Sequence, residues 1–313
     1  MPRRIAVVGV GAIGGLFGGR LAAAGHEVVF LARGATLDAL VERGLIVDSP
    51  EGDLRLHPVH GAEHAAGVGV VDLVLVCVKA GQVASLAPTL RPLVGDGTLV
   101  IPMQNGVEAS GQLAAALGEA VLEGYSRVIA EAVAPGHIRH VAVTPTIAFA
   151  PRVGAASPPE EGVLAGWRAL FRGAGLHVEE TPDVQRALWE KFMFVEPLGA
   201  VGGAARVPFG AMLAVPETRA LLDACVREIM AVGRARGVSL GEDSVASVWA
   251  RYDKLAPEGT ASLQRDLMAG RPSEFDAQTA AICRMGRVAE VPTPAHDALY
   301  AVLAPKALGR TPA

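Results

Sequence analysis

Six consecutive residues near the start of the chain have the types and spacing needed to bind phosphate. Gly9-Val10-Gly11-Ala12-Ile13-Gly14 comes directly after the strand pattern Arg4–Val8 and directly before an apolar, alanine-rich helix. In this arrangement the first glycine permits a tight turn, the second lets the backbone approach a pyrophosphate, and the third lets the helix pack against its strand. The N–H groups and positive dipole at the helix start attract phosphates. The pattern predicts a dinucleotide site at Gly9, Gly11, Ala12, Ile13 and Gly14, with a purely structural glycine turn as the alternative.

The residue after the second predicted strand indicates which dinucleotide binds. The run Glu27–Ala32 is followed by Arg33, at the position where an NAD site has an acidic residue for the ribose 2′-hydroxyl. A guanidinium is a permanently charged, forked donor that suits a 2′-phosphate. Glu27 does not replace the missing carboxylate because it lies at the opposite end of the strand. Arg33 therefore predicts NADPH/NADP+ as the cofactor, and a surface arginine that ends a strand is the alternative.

Strand and helix signals alternate through the first half of the chain. The apolar runs Val71–Val78 and Gly97–Ile101 are typical of parallel strands covered on both faces. We predict an α/β fold with an N-terminal Rossmann-type, doubly wound sheet. The segment Gly44–His60 should form a small strand excursion beside that sheet. Further strands are expected at Ala120–Ile129, His137–Val143, Thr146–Ala150 and, as the last of the sheet, Leu176–Glu180.

The second half of the chain has helical spacing. Several of its periodic segments have Asp or Ser near their starts and Gly or Pro near their ends. The predicted helices are Asp183–Gly199, Pro216–Arg236, Glu242–Tyr252 and Glu274–Glu290. We expect an NADP(H)-binding Rossmann domain at residues 1–181 and an all-helical domain for substrate binding and dimerisation at residues 182–313. A cleft between two such domains is the natural substrate site.

Composition argues against several classes of function. The 313 residues carry a formal net charge of −4, which supplies no basic field for nucleic acid. No apolar run is long enough to span a membrane. The 3 cysteines are widely spread and contain no CxxC pair, so a reducing, cytoplasmic location is expected. His57, His60 and His64 lie in a loop-like region with few fixed partners, so no metal is expected.

Six segments, in order and in register over nearly the whole chain, resemble the ketopantoate reductase (2-dehydropantoate 2-reductase) family. They are Gly9–Gly14, Val78–Val83, Gln104–Val107, Leu188–Phe192, Ser262–Leu267 and Ser273–Asp276. The resemblance implies NADPH-dependent reduction of a 2-oxo acid to a 2-hydroxy acid, in pantothenate biosynthesis. It also implies a homodimer, and the small-molecule 2-oxo acid is the other expected partner.

The resemblance makes Lys191 the candidate proton donor. Hydride that arrives at a carbonyl carbon leaves negative charge on the oxygen, which a nearby ammonium can stabilise before it delivers its proton. Lys191 lies in an otherwise apolar predicted helix. The alternative is a lysine that snorkels from this helix into water.

Four more site residues follow from the resemblance. Lys79, just past a strand end, would contact cofactor phosphate or ribose, and a solvated loop lysine is the alternative. Asn105 would bind both cofactor and substrate, because its amide can donate and accept hydrogen bonds. An ordinary Asn-Gly turn is the alternative there. Glu274 would hold Lys191 or a ribose hydroxyl, and Ser262 would bind the substrate carboxylate, although both residue types are also typical of helix starts.

The resemblance fails in the substrate pocket. Family members that reduce ketopantoate have asparagines at the positions aligned with Val195, Gly199 and Phe209. Residues spaced by four share a helix face, so Lys191, Val195 and Gly199 predict an apolar substrate-binding wall. Close helix packing is the alternative for Gly199. Glu196 projects about 140° away around the helix and does not replace the asparagines. We expect a substrate that is bulkier or more apolar than ketopantoate. The alternatives are a reductase of an imine or other carbonyl and a non-catalytic NADP(H)-binding sensor or regulatory protein.

Overall fold

The computed structural model describes residues 2–309. By its internal contacts the chain divides into two compact units. The first contains the residues up to Gln104 together with Glu108–Val184, and the second contains Asn105–Val107 together with the chain from Gln185 onward. The change after Val184 lies close to the boundary expected from sequence. The sequence pattern did not predict that Asn105–Val107 would belong to the second unit.

Strands and helices are distributed unequally between the two units. The strands are β1 (Arg4–Val8), β2 (Glu27–Leu31), β3 (Leu45–Asp48), β4 (Leu54–Leu56), β5 (His60–Ala62), β6 (Leu73–Val76), β7 (Leu99–Pro102), β8 (Leu122–Ala134), β9 (His137–Pro151) and β10 (His177–Val178). The α-helices are α1 (Ala12–Ala23), α2 (Ala35–Arg43), α3 (Val83–Leu86), α4 (Ala109–Leu117), α5 (Glu161–Gly173), α6 (Val184–Ala205), α7 (Phe209–Ala214), α8 (Pro216–Ala235), α9 (Glu242–Tyr252), α10 (Ser262–Met268), α11 (Thr279–Val288) and α12 (Pro294–Ala307). Within residues 2–309 every strand belongs to the first unit, so the described part of the second unit is helical.

A parallel sheet of 5 strands, in the order β5-β2-β1-β6-β7, forms the centre of the first unit. Strands β1, β2, β6 and β7 are largely apolar and buried, as the continuous hydrophobic pattern predicts, whereas the edge strand β5 is short and not buried. Val8 at the end of β1 is in register with Leu31 of β2 and with Val76 of β6. The carboxyl ends of these three strands are therefore level. The predicted α/β fold with an N-terminal Rossmann-type sheet and a helical C-terminal region is confirmed.

A second sheet in the first unit has the order β10-β9-β3-β4, with β8 antiparallel to β9. The excursion at Gly44–His60 supplies β3 and β4, which belong to this second sheet. The strands expected at His137–Val143 and Thr146–Ala150 are one strand, β9, because a shift in its register with β8 absorbs the irregular residues between them. β10 is shorter than expected, and it pairs with β9 instead of extending the first sheet.

The helices of the second unit differ from the predicted ones at their ends. The predicted helix that ends at Gly199 continues to Ala205 as α6. A Cβ atom at Gly199 would lie 2.9 Å from Leu263 Cβ, so this glycine permits close packing against α10 and does not end the helix. The helix predicted at Glu274–Glu290 begins only at Thr279. Helices α7, α10 and α12 were not predicted.

Apolar residues of α6 form much of the core of the second unit. Trp189, Phe192 and Met193 pack in one cluster with Ile229 of α8 and Tyr252 of α9.

Within residues 2–309, no helix has both the length and the apolar character to cross a membrane. Over the same residues, no group of 3 or more His, Cys, Asp or Glu side chains has an arrangement that could hold a metal ion.

Candidate active site

The glycine turn of the first unit has the geometry that phosphate binding requires. Gly9 has a φ of +93°, and its N–H donates a hydrogen bond of 3.0 Å to the carbonyl oxygen of Leu31. A Cβ atom at Gly14 would lie 2.0 Å from the carbonyl oxygen of Gly9, which leaves no room for a side chain. A Cβ atom at Gly11 would meet no atom within 4 Å. The fold therefore requires Gly9 and Gly14, whereas Gly11 keeps open space beside the turn.

The start of α1 presents backbone donors at this turn. The N–H of Gly15 donates to the carbonyl oxygen of Gly11 at 2.8 Å, which begins the helical hydrogen-bond pattern. The preceding N–H groups, of Ala12, Ile13 and Gly14, belong to the first turn, where a helix offers no carbonyl partner. These donors and the positive end of the helix dipole fit the pyrophosphate of a dinucleotide.

Two basic residues follow strands that end beside the glycine turn. Arg33 follows β2, Lys79 follows β6, and both side chains are exposed. Because β2 and β6 flank β1 with level carboxyl ends, both loops leave the edge of the sheet that carries the turn. The loop from Ala32 to Ala35 contains no acidic residue. This edge can therefore neutralise phosphate groups and lacks the carboxylate that favours NAD.

Lys191 lies on α6 in the second unit. The residue is only 8 % exposed, and its neighbours Phe192 and Met193 are core residues. Lysine is rarely buried because its charged form loses hydration. Such low exposure does not fit a lysine that snorkels into bulk water. An amine held in this setting can donate a hydrogen bond and a proton to a developing oxyanion.

Asn105 and Glu274 are 169 residues apart in the chain and are in contact. Asn105 Nδ2 donates to Glu274 Oε2 at 3.2 Å, and Gln278 Nε2 donates to the same oxygen at 3.3 Å. Gly106 has a φ of +96°, and a Cβ atom there would lie 2.8 Å from the carbonyl oxygen of Ala277. Glu274 lies in the turn that precedes α11, so it does not begin a helix as the sequence pattern suggested. Its carboxylate instead fixes the orientation of the Asn105 amide.

Apart from Asn105, the residues named for the substrate pocket lie on three helices. Val195 is half-buried on α6, and Ser262 is the exposed first residue of α10. The residue at the N-cap of α10 is Ala261, so the alternative that Ser262 caps the helix is wrong. Gly199 is buried in the helix packing described above, and Phe209 is buried at the start of α7. The hypothesis of an apolar pocket wall therefore depends chiefly on Val195.

Sequence reasoning missed a buried charged cluster in the second unit. Glu196 and His296 are both 0 % exposed. His296 Nε2 donates to Glu196 Oε2 at 2.9 Å, and its Nδ1 donates to Glu228 Oε2 at 2.6 Å. Thr279 Oγ1 donates to Glu196 Oε1 at 2.7 Å. These contacts connect α6, α8, α11 and α12 around a single imidazole.

The environment of His296 favours its charged form. Burial alone would lower the pKa of the imidazole, but the attraction of Glu196 and the hydrogen bonds to Glu196 and Glu228 raise the pKa to about 9. At neutral pH the His296 imidazole is therefore charged, and it lies between the side chains of Glu196 and Glu228. The sequence feature that could have indicated this cluster is Glu196, a lone acid inside the apolar run from Phe192 to Ala200.

The fold and the glycine turn define a dinucleotide-binding α/β protein with a helical second unit. Residues 5–153 match the family described as ketopantoate reductase PanE/ApbA, and residues 183–307 match its C-terminal domain. The chain belongs to the ketopantoate reductase family, whose enzymes are NADP-dependent oxidoreductases that act on CH–OH groups.

Individual relatives agree with this membership. The 2-dehydropantoate 2-reductase of Mesorhizobium japonicum is 31 % identical over 96 % of this chain and 96 % of its own. A solved PanE/ApbA family ketopantoate reductase from Ralstonia eutropha JMP134 has a TM-score of 0.87 at 30 % identity, over 98 % of this chain and 99 % of its own. D-mandelate dehydrogenase, solved with NADH and anilino(oxo)acetate, has a TM-score of 0.86 at 19 % identity over 98 % of this chain and 99 % of its own, a likeness of fold alone.

Proposed function

We propose that this protein reduces a 2-oxo acid to a 2-hydroxy acid with NADPH, and that Lys191 donates the proton. The observation that carries the proposal is the burial of Lys191 beside the core residues Phe192 and Met193 of α6, in a chain that belongs to the ketopantoate reductase family. Burial of an amine makes the free energy of folding less favourable, and buried ionisable groups are concentrated at functional sites. The contact between Asn105 and Glu274 supports the proposal, because it orders two further polar groups in the same unit.

The cofactor would bind to the NADP(H)-binding domain expected at residues 1–181, which lies in the first unit. Its glycine turn and the start of α1 would bind the pyrophosphate, while Arg33 and Lys79 would neutralise phosphate charge. When bound, NADPH supplies a hydride to the carbonyl carbon of the substrate. The absence of an acid from Ala32 to Ala35 supports a preference for NADPH over NADH.

The second unit would carry out the acid step. The Lys191 ammonium would donate a hydrogen bond to the carbonyl oxygen, stabilise the negative charge that develops there, and transfer its proton to form the hydroxyl. Asn105, oriented by Glu274, would contact cofactor and substrate. Ser262 would bind the substrate carboxylate through its hydroxyl.

Val195 supports a substrate whose side chain is more apolar than that of ketopantoate. It lies one helical turn after Lys191 on the same helix face, where a family asparagine would offer an amide. A hydroxyl left without a partner in a buried pocket costs about 1–3 kcal/mol. A small aliphatic or aromatic 2-oxo acid would lose nothing at this wall.

Turnover of a graded panel of 2-oxo acids tests the substrate class. The panel contains ketopantoate, 2-oxoisovalerate, 4-methyl-2-oxopentanoate and phenylglyoxylate, each followed by NADPH absorbance with NADH in parallel. We expect NADPH oxidation with the apolar acids at higher kcat/KM than with ketopantoate. A clear preference for ketopantoate would contradict the pocket hypothesis, and turnover of none of them with tight NADPH binding would indicate a sensor.

Replacement of Lys191 tests the proton donor. Lys191→Ala should lower kcat by about 10²- to 10⁴-fold, because it removes a positioned general acid. Its affinity for NADPH, measured by fluorescence titration, should stay close to that of the unmodified protein. Lys254→Ala, at an exposed lysine of the same unit, is the matched control and should leave both quantities unchanged. Full turnover by Lys191→Ala would overturn the assignment.

A further inference from the structure

Helix α6 contains a proline six residues after Lys191. Pro197 lies inside the helix. Proline has no N–H, so the carbonyl of Met193, four residues earlier, loses its normal helical donor. A buried carbonyl without a donor is costly, and the loss of this bond weakens the helix where it follows Lys191.

A buried tyrosine takes the place of the missing donor. Tyr252, at the end of α9, is 0 % exposed, and its hydroxyl lies 3.3 Å from the carbonyl oxygen of Met193 and 3.0 Å from that of Phe194. The hydroxyl has one proton, which it can share between the two carbonyl oxygens. Burial raises the pKa of the Tyr252 phenol well above its ordinary value, which agrees with a hydroxyl that keeps its proton.

Ring contacts hold the same point of α6. The ring centroids of Phe194 and Tyr252 are 5.4 Å apart. The guanidinium of Arg251 lies 3.8 Å from the centroid of the Phe194 ring, a close cation–π contact. Phe194 is three residues after Lys191, so the two side chains are neighbours on the helix surface. The last turn of α9 is therefore bound to the turn of α6 that carries Lys191.

We propose that Tyr252 is a positioning residue for Lys191. Its hydroxyl substitutes for the backbone donor that Pro197 lacks, and so fixes the direction in which the first half of α6 presents the Lys191 amine. The proposal rests on the proposed function, in which Lys191 is the proton donor. It assigns Tyr252 no contact with substrate or cofactor.

The proposal explains why a proline is compatible with this position. A helix that breaks next to a catalytic side chain would let that side chain move, and displacement by about 1 Å can cost about 100-fold in rate. With the Tyr252 hydroxyl in place, the Met193 carbonyl has a donor in spite of Pro197. The segment then stays rigid without the backbone bond.

A cycle of two substitutions tests the proposal. Tyr252→Phe removes only the hydroxyl, and we expect kcat to fall by about 10- to 100-fold while KM for the best 2-oxo acid and the affinity for NADPH change little. Pro197→Ala restores the N–H that Met193 needs. The double variant P197A/Y252F should therefore recover kcat to within about threefold of P197A alone. Tyr300→Phe, at a partly exposed tyrosine of the same unit, is the control and should have no effect.

Three outcomes would overturn the proposal. The first is an unchanged kcat in Y252F, even if its melting temperature falls, because a purely structural hydroxyl would affect stability alone. The second is a P197A/Y252F double variant that is no more active than Y252F. This result can be interpreted even if Y252F folds poorly, because the double variant retains a donor for the Met193 carbonyl. The third is full turnover by Lys191→Ala, which removes the proposed function as well. Loss of turnover in Lys191→Ala together with an unaffected Y252F would overturn the positioning role alone.

Discussion

The two units build their sites from different materials. In the first unit the candidate pyrophosphate site is backbone, namely the glycines at positions 9, 11 and 14 and the N–H groups at the start of α1, and Arg33 and Lys79 add charged side chains at its edge. In the second unit it consists of side chains, and the helix that carries Lys191 is held by a buried tyrosine and a buried ionic cluster. Shape therefore limits what the first unit can tolerate, and charge and hydrogen bonding limit the second. Added volume should therefore harm the glycine turn of the first unit, and a lost charge or hydrogen-bond donor should harm the second unit.

The largest effect should follow from removal of the buried cation. His296→Ala leaves Glu196 and Glu228 facing each other without a positive charge, and breaking a buried pair in this way costs about 3–5 kcal/mol. Urea denaturation of the variant measures the free energy of unfolding. Adding Glu196→Gln to His296→Ala should recover part of the loss, because it removes one unpaired charge. A double variant no more stable than His296→Ala would show that lost packing, not charge, causes the effect.

Alkaline pH should weaken the second unit through the same residue. The folded-state pKa of His296 is raised to about 9 from 6.5, so the proton binds more tightly in the folded state. Its contribution is complete below pH 6.5, declines as pH rises, and is lost above about pH 9. The shift corresponds to about 3 kcal/mol. The free energy of unfolding, measured at several pH values across this window, should decline in the unmodified protein. In His296→Gln the free energy of unfolding should not decline in this way relative to its own value at low pH.

The first unit should respond to single methyl groups at its glycine turn. Gly14→Ala places a Cβ atom against the backbone of Gly9, and such overpacking should cost about 2 kcal/mol of stability and weaken NADPH binding. Gly11→Ala has open space around its Cβ atom, so its stability should change by less than about 0.5 kcal/mol. It should still weaken NADPH binding, because the methyl group occupies the path of the pyrophosphate. Equal NADPH affinity in Gly11→Ala and the unmodified protein would contradict the cofactor site.

The smallest effect should come from Arg33. Arg33→Ala removes a charged donor for a 2′-phosphate, which should cost about 1.5 kcal/mol, or roughly tenfold in KM for NADPH. KM for NADH should stay within about twofold, because NADH has no 2′-phosphate. Steady-state kinetics with both cofactors measures the ratio. Parallel changes for NADPH and NADH would place Arg33 away from the phosphate.

The same contrast explains how much of the molecule could be predicted from its sequence. Residues 9–14 form a local motif, and apolar runs such as Leu73–Val76 read directly as parallel strands, so β1, β2, β6 and β7 were predictable. The edge strand β5 was not, because it has no apolar run. The second sheet was less predictable, because the pairing of β3, β9 and β10 joins segments far apart in the chain. No local pattern specifies such pairings.

The site of the second unit could be predicted only in part. Lys191 and Glu274 were found through a family resemblance, not through spacing. Tyr252 and His296 were missed because their roles depend on helices that meet only in the folded chain. Gly199 was expected to line the pocket, with close helix packing as the alternative, and its contact with Leu263 favours that alternative.

The segment Asn105–Val107 carries a consequence for the evolution of the chain. It clusters with the helical unit while the residues on both sides of it, Gln104 and Glu108, belong to the other unit. A single recombination point after Val184 would therefore deliver a foreign helical unit to a native Asn105 and Gly106, whose partners are Glu274 and the backbone of Ala277. Chimaeras of two family members should work best when these three residues are exchanged along with the helical half, so inheritance of the two halves is coupled through one short loop.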